Sequence, residues 1–122
     1  MKTRTTNADL EQFKKYVHKW ADKLGLMGVD ILVEKDGLPE TVLARCHRYN
    51  SSNYKIFVNS SYYGGKMKPR EWERYAYHEV MHILLGEFDH LAESRYASEE
   101  QMGREVERVA TTMENHEFGR AK

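Results

Sequence analysis

Residues 78–82 read His78-Glu79-Val80-Met81-His82, two histidines four apart with a glutamate directly after the first. On a helix, a spacing of four stacks the two imidazoles on one face a turn apart, where both can ligate one Zn²⁺. Glu79 then projects beside them toward a water on the ion. Such a set performs hydrolysis. The metal lowers the pKa of its water from about 15.7 toward about 7 and polarises a carbonyl. Glu79, as general base, takes the proton and passes it to a leaving amine.

The neighbours of the motif support this reading. Trp72, Tyr75, Ala76, Tyr77, Val80, Met81, Ile83, Leu84 and Leu85 make the segment apolar almost all round, the mark of a buried helix. Three ionisable side chains inside it are costly unless paired, and one metal with its water pairs all three.

Zinc in a hydrolytic site takes a third protein ligand and leaves a fourth position open, so one ion per chain is expected. Glu105 lies about 80° from the centre of the apolar face of the last helical segment at roughly 100° per residue, whereas Glu107 and Glu100 lie about 120° or more away. Glu105 is therefore the best placed of these to look into the core. His90 and Asp89, just past Gly86, and Glu93 are alternatives that reach back from a loop, and Cys46, the only thiol, could bind as a thiolate. His18 and His47 read as surface or packing residues. Tyr62 and Tyr63, in a glycine-bearing loop before the motif, either pack or supply a phenol to a developing oxyanion.

The elements that position these residues follow from periodicity. Leu10, Phe13, Val17, Trp20, Ala21 and Leu24 predict a helix over residues 7–24, capped by Thr6 or Asn7 and stopped by Gly25. Val29–Val33, Thr41–Tyr49 and Tyr54–Asn59 predict three strands, joined by Asp36-Gly37-Leu38-Pro39 and Asn50-Ser51-Ser52-Asn53 as an antiparallel meander. Pro69 opens and Gly86 closes a motif-bearing helix over 69–85. Ser98-Glu99-Glu100-Gln101 has the form of a capping box for a last helix over 98–116. The fold class is α+β, with element order α-βββ-α-α.

The 122 residues suffice for one domain spanning 1–122. Nineteen basic against nineteen acidic side chains offer no global field for nucleic acid or an anionic membrane, and the Lys66, Lys68 and Arg70 cluster reads as solvated surface. The lone cysteine and the polar start Met1–Asn7 make the cytoplasm the expected location. The expected partner is a peptide or protein substrate, pairing with a sheet edge near Tyr54–Asn59. Oligomeric state is not written in any motif.

Taken together, His78-Glu79-Val80-Met81-His82-Ile83-Leu84-Leu85, the helix-and-meander order and a glutamate on the next helix resemble the minimal zincin metallopeptidases, in particular small phage-encoded and ImmA/IrrE-like proteins. The resemblance implies a minimal zincin-like fold with a mostly antiparallel three-stranded sheet, a phage origin, and a third ligand in a segment like E-x-x-R-x-A. Glu105-Val106-Glu107-Arg108-Val109-Ala110 fits that segment. Metzincins read HExxHxxGxxH, and Gly86 and His90 stand at the wrong offsets. His116-Glu117-Phe118-Gly119 is a loose echo of SprT-like proteases, and Cys46 lacks the residues that flank the cysteine of peptide deformylases. A non-catalytic zincin-like binding module, with structural metal or none, is the alternative to an enzyme.

Overall fold

In the computed structural model, residues 2–26, 28–50, 53–92 and 99–119 are described, those at 50, 87–92, 99, 101, 102 and 105 by backbone alone. The described chain is mixed α and β: β1 (Lys2–Arg4), α1 (Asn7–Lys23), β2 (Asp30–Asp36), β3 (Ala44–Asn50), β4 (Asn53–Asn59), β5 (Ser61–Tyr63), α2 (Pro69–Ala92) and α3 (Glu99–Phe118). None of the described helices is long and apolar enough to cross a membrane.

The first helix forms where its sequence signals place it. Thr6 accepts the Asp9 backbone N–H while the Asp9 carboxylate accepts that of Thr6, a reciprocal capping box. Beyond its end Gly25 takes φ +73°, a conformation that favours glycine. Phe13, Val17, Trp20 and Ala21 turn inward and meet Trp72, Ala76, Tyr77, Val80 and Ile83 of α2. Against these helices lies one face of the three-stranded sheet, carried by Val33, Tyr54, Ile56 and Val58. Alternation along β4 is the expected period-two signature of a sheet covered on one side.

The strands do not form the expected meander. Their order is β2-β4-β3, with β4 central, parallel to β2 and antiparallel to β3. The buried side chain of Asn59 explains the route. Its amide nitrogen donates to the carbonyls of Leu38, Pro39 and Val42, and its oxygen accepts from the Leu38 backbone. The segment after β2 is thereby gripped across the end of β4, so β3 is laid down on the far side and β4 returns between them. Because both edges of Tyr54–Asn59 are occupied, a substrate cannot pair there. The edge with no strand partner among the described residues on that side of the sheet is β3.

Two further departures have local causes. Tyr62 and Tyr63 stand in β5, which pairs antiparallel with β1. Tyr62 is in the core against Trp72, and its hydroxyl accepts the Met67 backbone N–H. Exposed Tyr63 donates to Glu40. Helix α2 also passes through Gly86 rather than ending there. Tyr54 Oη lies 3.3 Å from where a Cβ of residue 86 would sit, and Arg48 donates to the Gly86 carbonyl at 3.1 Å. Glycine at 86 thus serves close approach of the helix to the sheet, a use that looks identical to a stop signal in sequence. The expected cap Ser98 lies outside the described residues.

Accordingly, Gly86→Leu, which drives a branched side chain into Tyr54, should destabilise by about 1–3 kcal/mol. Gly86→Ala should stay within about 1 kcal/mol of wild type, because gained helix propensity offsets the tight contact. Urea titrations of the three proteins check both values.

Candidate metal centre

Helix α2 carries the motif on its most buried stretch. Val80 and Ile83 are fully enclosed, Met81 nearly so, and Glu79 is 6% exposed. The spacing of four brings the His78 and His82 Nε2 atoms to 3.2 Å from each other. Helix α3 closes the group: Glu107 Oε1 is 3.1 Å from His78 Nε2, and Glu107 Oε2 is 2.5 Å from His82 Nε2. One ligand atom from each of the three residues lies within 4.8 Å of the others.

Behind His78 stands a supporting set that sequence reading missed. Glu114 accepts from His78 Nδ1 at 2.6 Å, and Arg74 donates to both Glu114 and Asn115. A carboxylate on Nδ1 fixes the orientation of the His78 ring and favours a proton on that nitrogen. Two imidazole nitrogens and a carboxylate oxygen within 4.8 Å of one another are donor types that a zinc ion takes.

The third member differs from the expected one. Glu107, 55% exposed along its side chain, reaches the histidines, while the side chains of Glu105, His90 and Asp89, and all of Glu93, lie outside the described residues. The face of α3 that meets α2 explains why Glu107 was ranked low. Ala110 is fully buried, with Glu107 three before it and Glu114 four after, whereas Met113, on the expected apolar stripe, is 37% exposed. The face is turned toward the polar cluster. A signal for it existed: Glu107 and Glu114 are seven apart and share a helical stripe with Ala110.

A cavity of about 230 Å³ opens over the group, lined by Ala44, Arg45 and Cys46 of β3 together with His78, Glu79, His82 and Glu107. Cys46 faces it, and burial, reinforced by the Glu79 charge, pushes its thiol pKa far up, so the group stays protonated. His18 and His47 are exposed and away from the cavity, as expected, and neither Tyr62 nor Tyr63 lines it.

Electrostatics within the group are strongly coupled. Burial raises the Glu79 pKa to about 7, with His78 opposing and Glu107 and Glu114 adding. For His78, burial works against the charge, but the Glu114 hydrogen bond and the surrounding carboxylates carry the pKa above its ordinary value. Burial keeps His82 below its ordinary value despite Glu107. Glu114 resists burial through the hydrogen bonds of His78 and Arg74 and falls below the ordinary carboxylate value.

No protein-family model, curated protein or solved structure matches the chain. The chemistry of the group therefore rests on its own geometry.

A pH dependence follows for metal-free protein. With the folded pKa of Glu79 near 7 and an ordinary value of 4.5, the folded state holds this proton more tightly than the unfolded one. Stability from Glu79 is fully present below pH 4.5 and is lost as pH rises through 7. Glu79→Gln should remove that loss, leaving the metal-free variant more stable than wild type at pH 8 by up to about 3 kcal/mol. Chemical denaturation at pH 5 and pH 8 in the presence of a chelator measures the difference.

Proposed function

We propose that this protein is a zinc-dependent metallopeptidase of zincin-like arrangement, with His78, His82 and Glu107 as ligands, Glu79 as general base and a peptide or protein as substrate in the cytoplasm. The observation that carries the reading is the convergence of two imidazoles and a carboxylate at the floor of an open cavity, with a buried glutamate beside them. When bound, zinc supplies Lewis acidity, which acidifies water and polarises a carbonyl.

The remaining work falls to the chain's own side chains. Glu79, buried beside the cavity, is placed to accept a proton from water and give it up to a leaving amine. Glu114, fixed by Arg74, holds the His78 ring and its tautomer. Ala44, Arg45 and Cys46 are consecutive on β3 and all line the cavity, so the backbone of this strand borders it. A substrate added along β3 would present an extended main chain to the cluster.

Zinc content per chain after purification without added metal tests the ligand set. One zinc is expected in wild type, with sharp loss in His82→Ala and Glu107→Ala and retention in Glu105→Ala. Positions 105 and 107 lie about 200° apart around α3, so the two glutamate variants discriminate. Loss in Glu105→Ala with retention in Glu107→Ala would transfer the ligand role to Glu105.

For catalysis, Glu79→Gln should keep its zinc while peptide turnover falls about 10²- to 10⁴-fold. Zinc-loaded wild type that cleaves no peptide in an unstructured mixture would leave a binding module.

A further inference from the structure

Lys66, Lys68 and Arg70, a run expected to be solvated surface, acquire a second setting in the fold. Arg70 and Arg74 stand four apart and share one face of α2, and Lys68 comes just before that helix begins. The end of α3 lies against this turn through Phe118, whose ring carries the Arg70 guanidinium. Lys68, Arg70, Glu71, Arg74 and Phe118 together line a cavity of about 320 Å³. None of His78, Glu79, His82 and Glu107 is among its walls.

Three cations meet one carboxylate in this lining. Arg74 donates through Nε to Glu114 and through Nη2 to Asn115, which leaves Nη1 without a partner among the described residues. Arg70 has only neutral partners, the Phe118 ring at 4.9 Å and the Phe118 carbonyl at 3.4 Å. The Lys68 ammonium has no hydrogen-bond or ion-pair partner among the described residues. Glu71 directs one of its oxygens to the Lys68 backbone N–H at 2.9 Å. By contrast, Lys2, Lys19 and Lys55 each reach a carboxylate, of Glu40, Glu73 and Glu34. Like charge gathered around one cavity is unfavourable until an anion enters it.

The donors select among anions. Two guanidinium groups and an ammonium offer more N–H groups than the two oxygens of a carboxylate can engage, and arginine forks suit tetrahedral oxyanions. A phosphate group on an ester presents three acceptor oxygens and close to two negative charges at neutral pH. Lys68 and Arg70 are the two lining cations without a carboxylate partner among the described residues. Phe118 adds an apolar wall, and the volume is more than double the about 150 Å³ that accommodates benzene, so an organic group attached to the phosphate has room.

We propose that the cavity between the first turn of α2 and the last turn of α3 is a binding site for a phosphate group, held by Lys68, Arg70 and Nη1 of Arg74. The group is free phosphate or the head of a small phosphomonoester. The site stands independently of the metallopeptidase reading.

Isothermal titration of the full-length protein with inorganic phosphate and with phenyl phosphate, at neutral pH and low ionic strength, tests the site. Wild type should bind one phosphate group per chain with a Kd of about 1 mM or tighter. Lys68→Gln and Arg70→Gln should each weaken binding about 10-fold, the loss of one charge-assisted hydrogen bond, and the double variant should show no saturable binding. The Lys68 side chain makes no polar contact within the described fold, so its variant keeps the wild-type structure. Lys15→Gln/Lys23→Gln, which removes the same charge from α1, should leave the affinity almost unchanged, as should His82→Ala at the metal centre. Tighter binding of phenyl phosphate, with the advantage lost in Phe118→Ala, assigns the site to an ester; equal binding of both ligands assigns it to free phosphate. Absence of saturable binding by wild type, an equal loss in the α1 variant and the Lys68/Arg70 double variant, or loss in His82→Ala alone overturns the proposal.

Discussion

Helix α2 is at once the middle of the hydrophobic core and the carrier of His78, Glu79 and His82, and the rest of the molecule is organised around that conflict. A helix enclosed by Phe13, Val17, Ile56 and Val58 cannot leave ionisable groups without partners, because burying an unpaired charge costs far more than any single apolar contact returns. The partners come from α3. Glu107 meets both imidazoles at the cavity, and Glu114, braced by Arg74, meets the other nitrogen of His78. The carboxylates that complete the site are thus also what lets the two helices pack.

That requirement sets how α3 lies. Apolar residues alone would turn its Met102, Val106, Val109, Ala110 and Met113 stripe inward, yet Met113 is partly exposed and the buried Ala110 is flanked by glutamates. A helix that covers a polar cluster turns part of its polar side inward, so the apolar stripe and the buried face coincide only in part, at Val106, Val109 and Ala110. The same polarity feeds back on Glu79, whose proton is held up by burial and by the carboxylates opposite.

The sheet contributes the open wall. Because Asn59 ties the segment after β2 across the end of β4, β3 lies at one edge of the sheet with no further strand beside it among the described residues, and it carries Ala44, Arg45 and Cys46 past the cluster. An ordinary meander would have put β3 in the middle and closed that edge. Residues just before β3 and Tyr75 of α2 line a space beside the cluster.

Much of this was legible in residue order alone. Helical spacing within 7–24, the Thr6 cap, Pro69 at a helix start and the pairing of His78 with His82 depend only on contacts a few residues apart, so local periodicity determined them. Strand order, the passage of α2 through Gly86, the choice of Glu107 and the role of Glu114 depend on groups tens of residues away. Gly86 is a stop in one context and a close contact with Tyr54 in another. A glutamate off the apolar stripe is solvated surface in one and a ligand candidate in the other. The sequence by itself determined which side chains a single turn of α2 presents together. Only tertiary structure decided what faces them, because an inward carboxylate is stabilised by the imidazoles it meets and by nothing in its own segment.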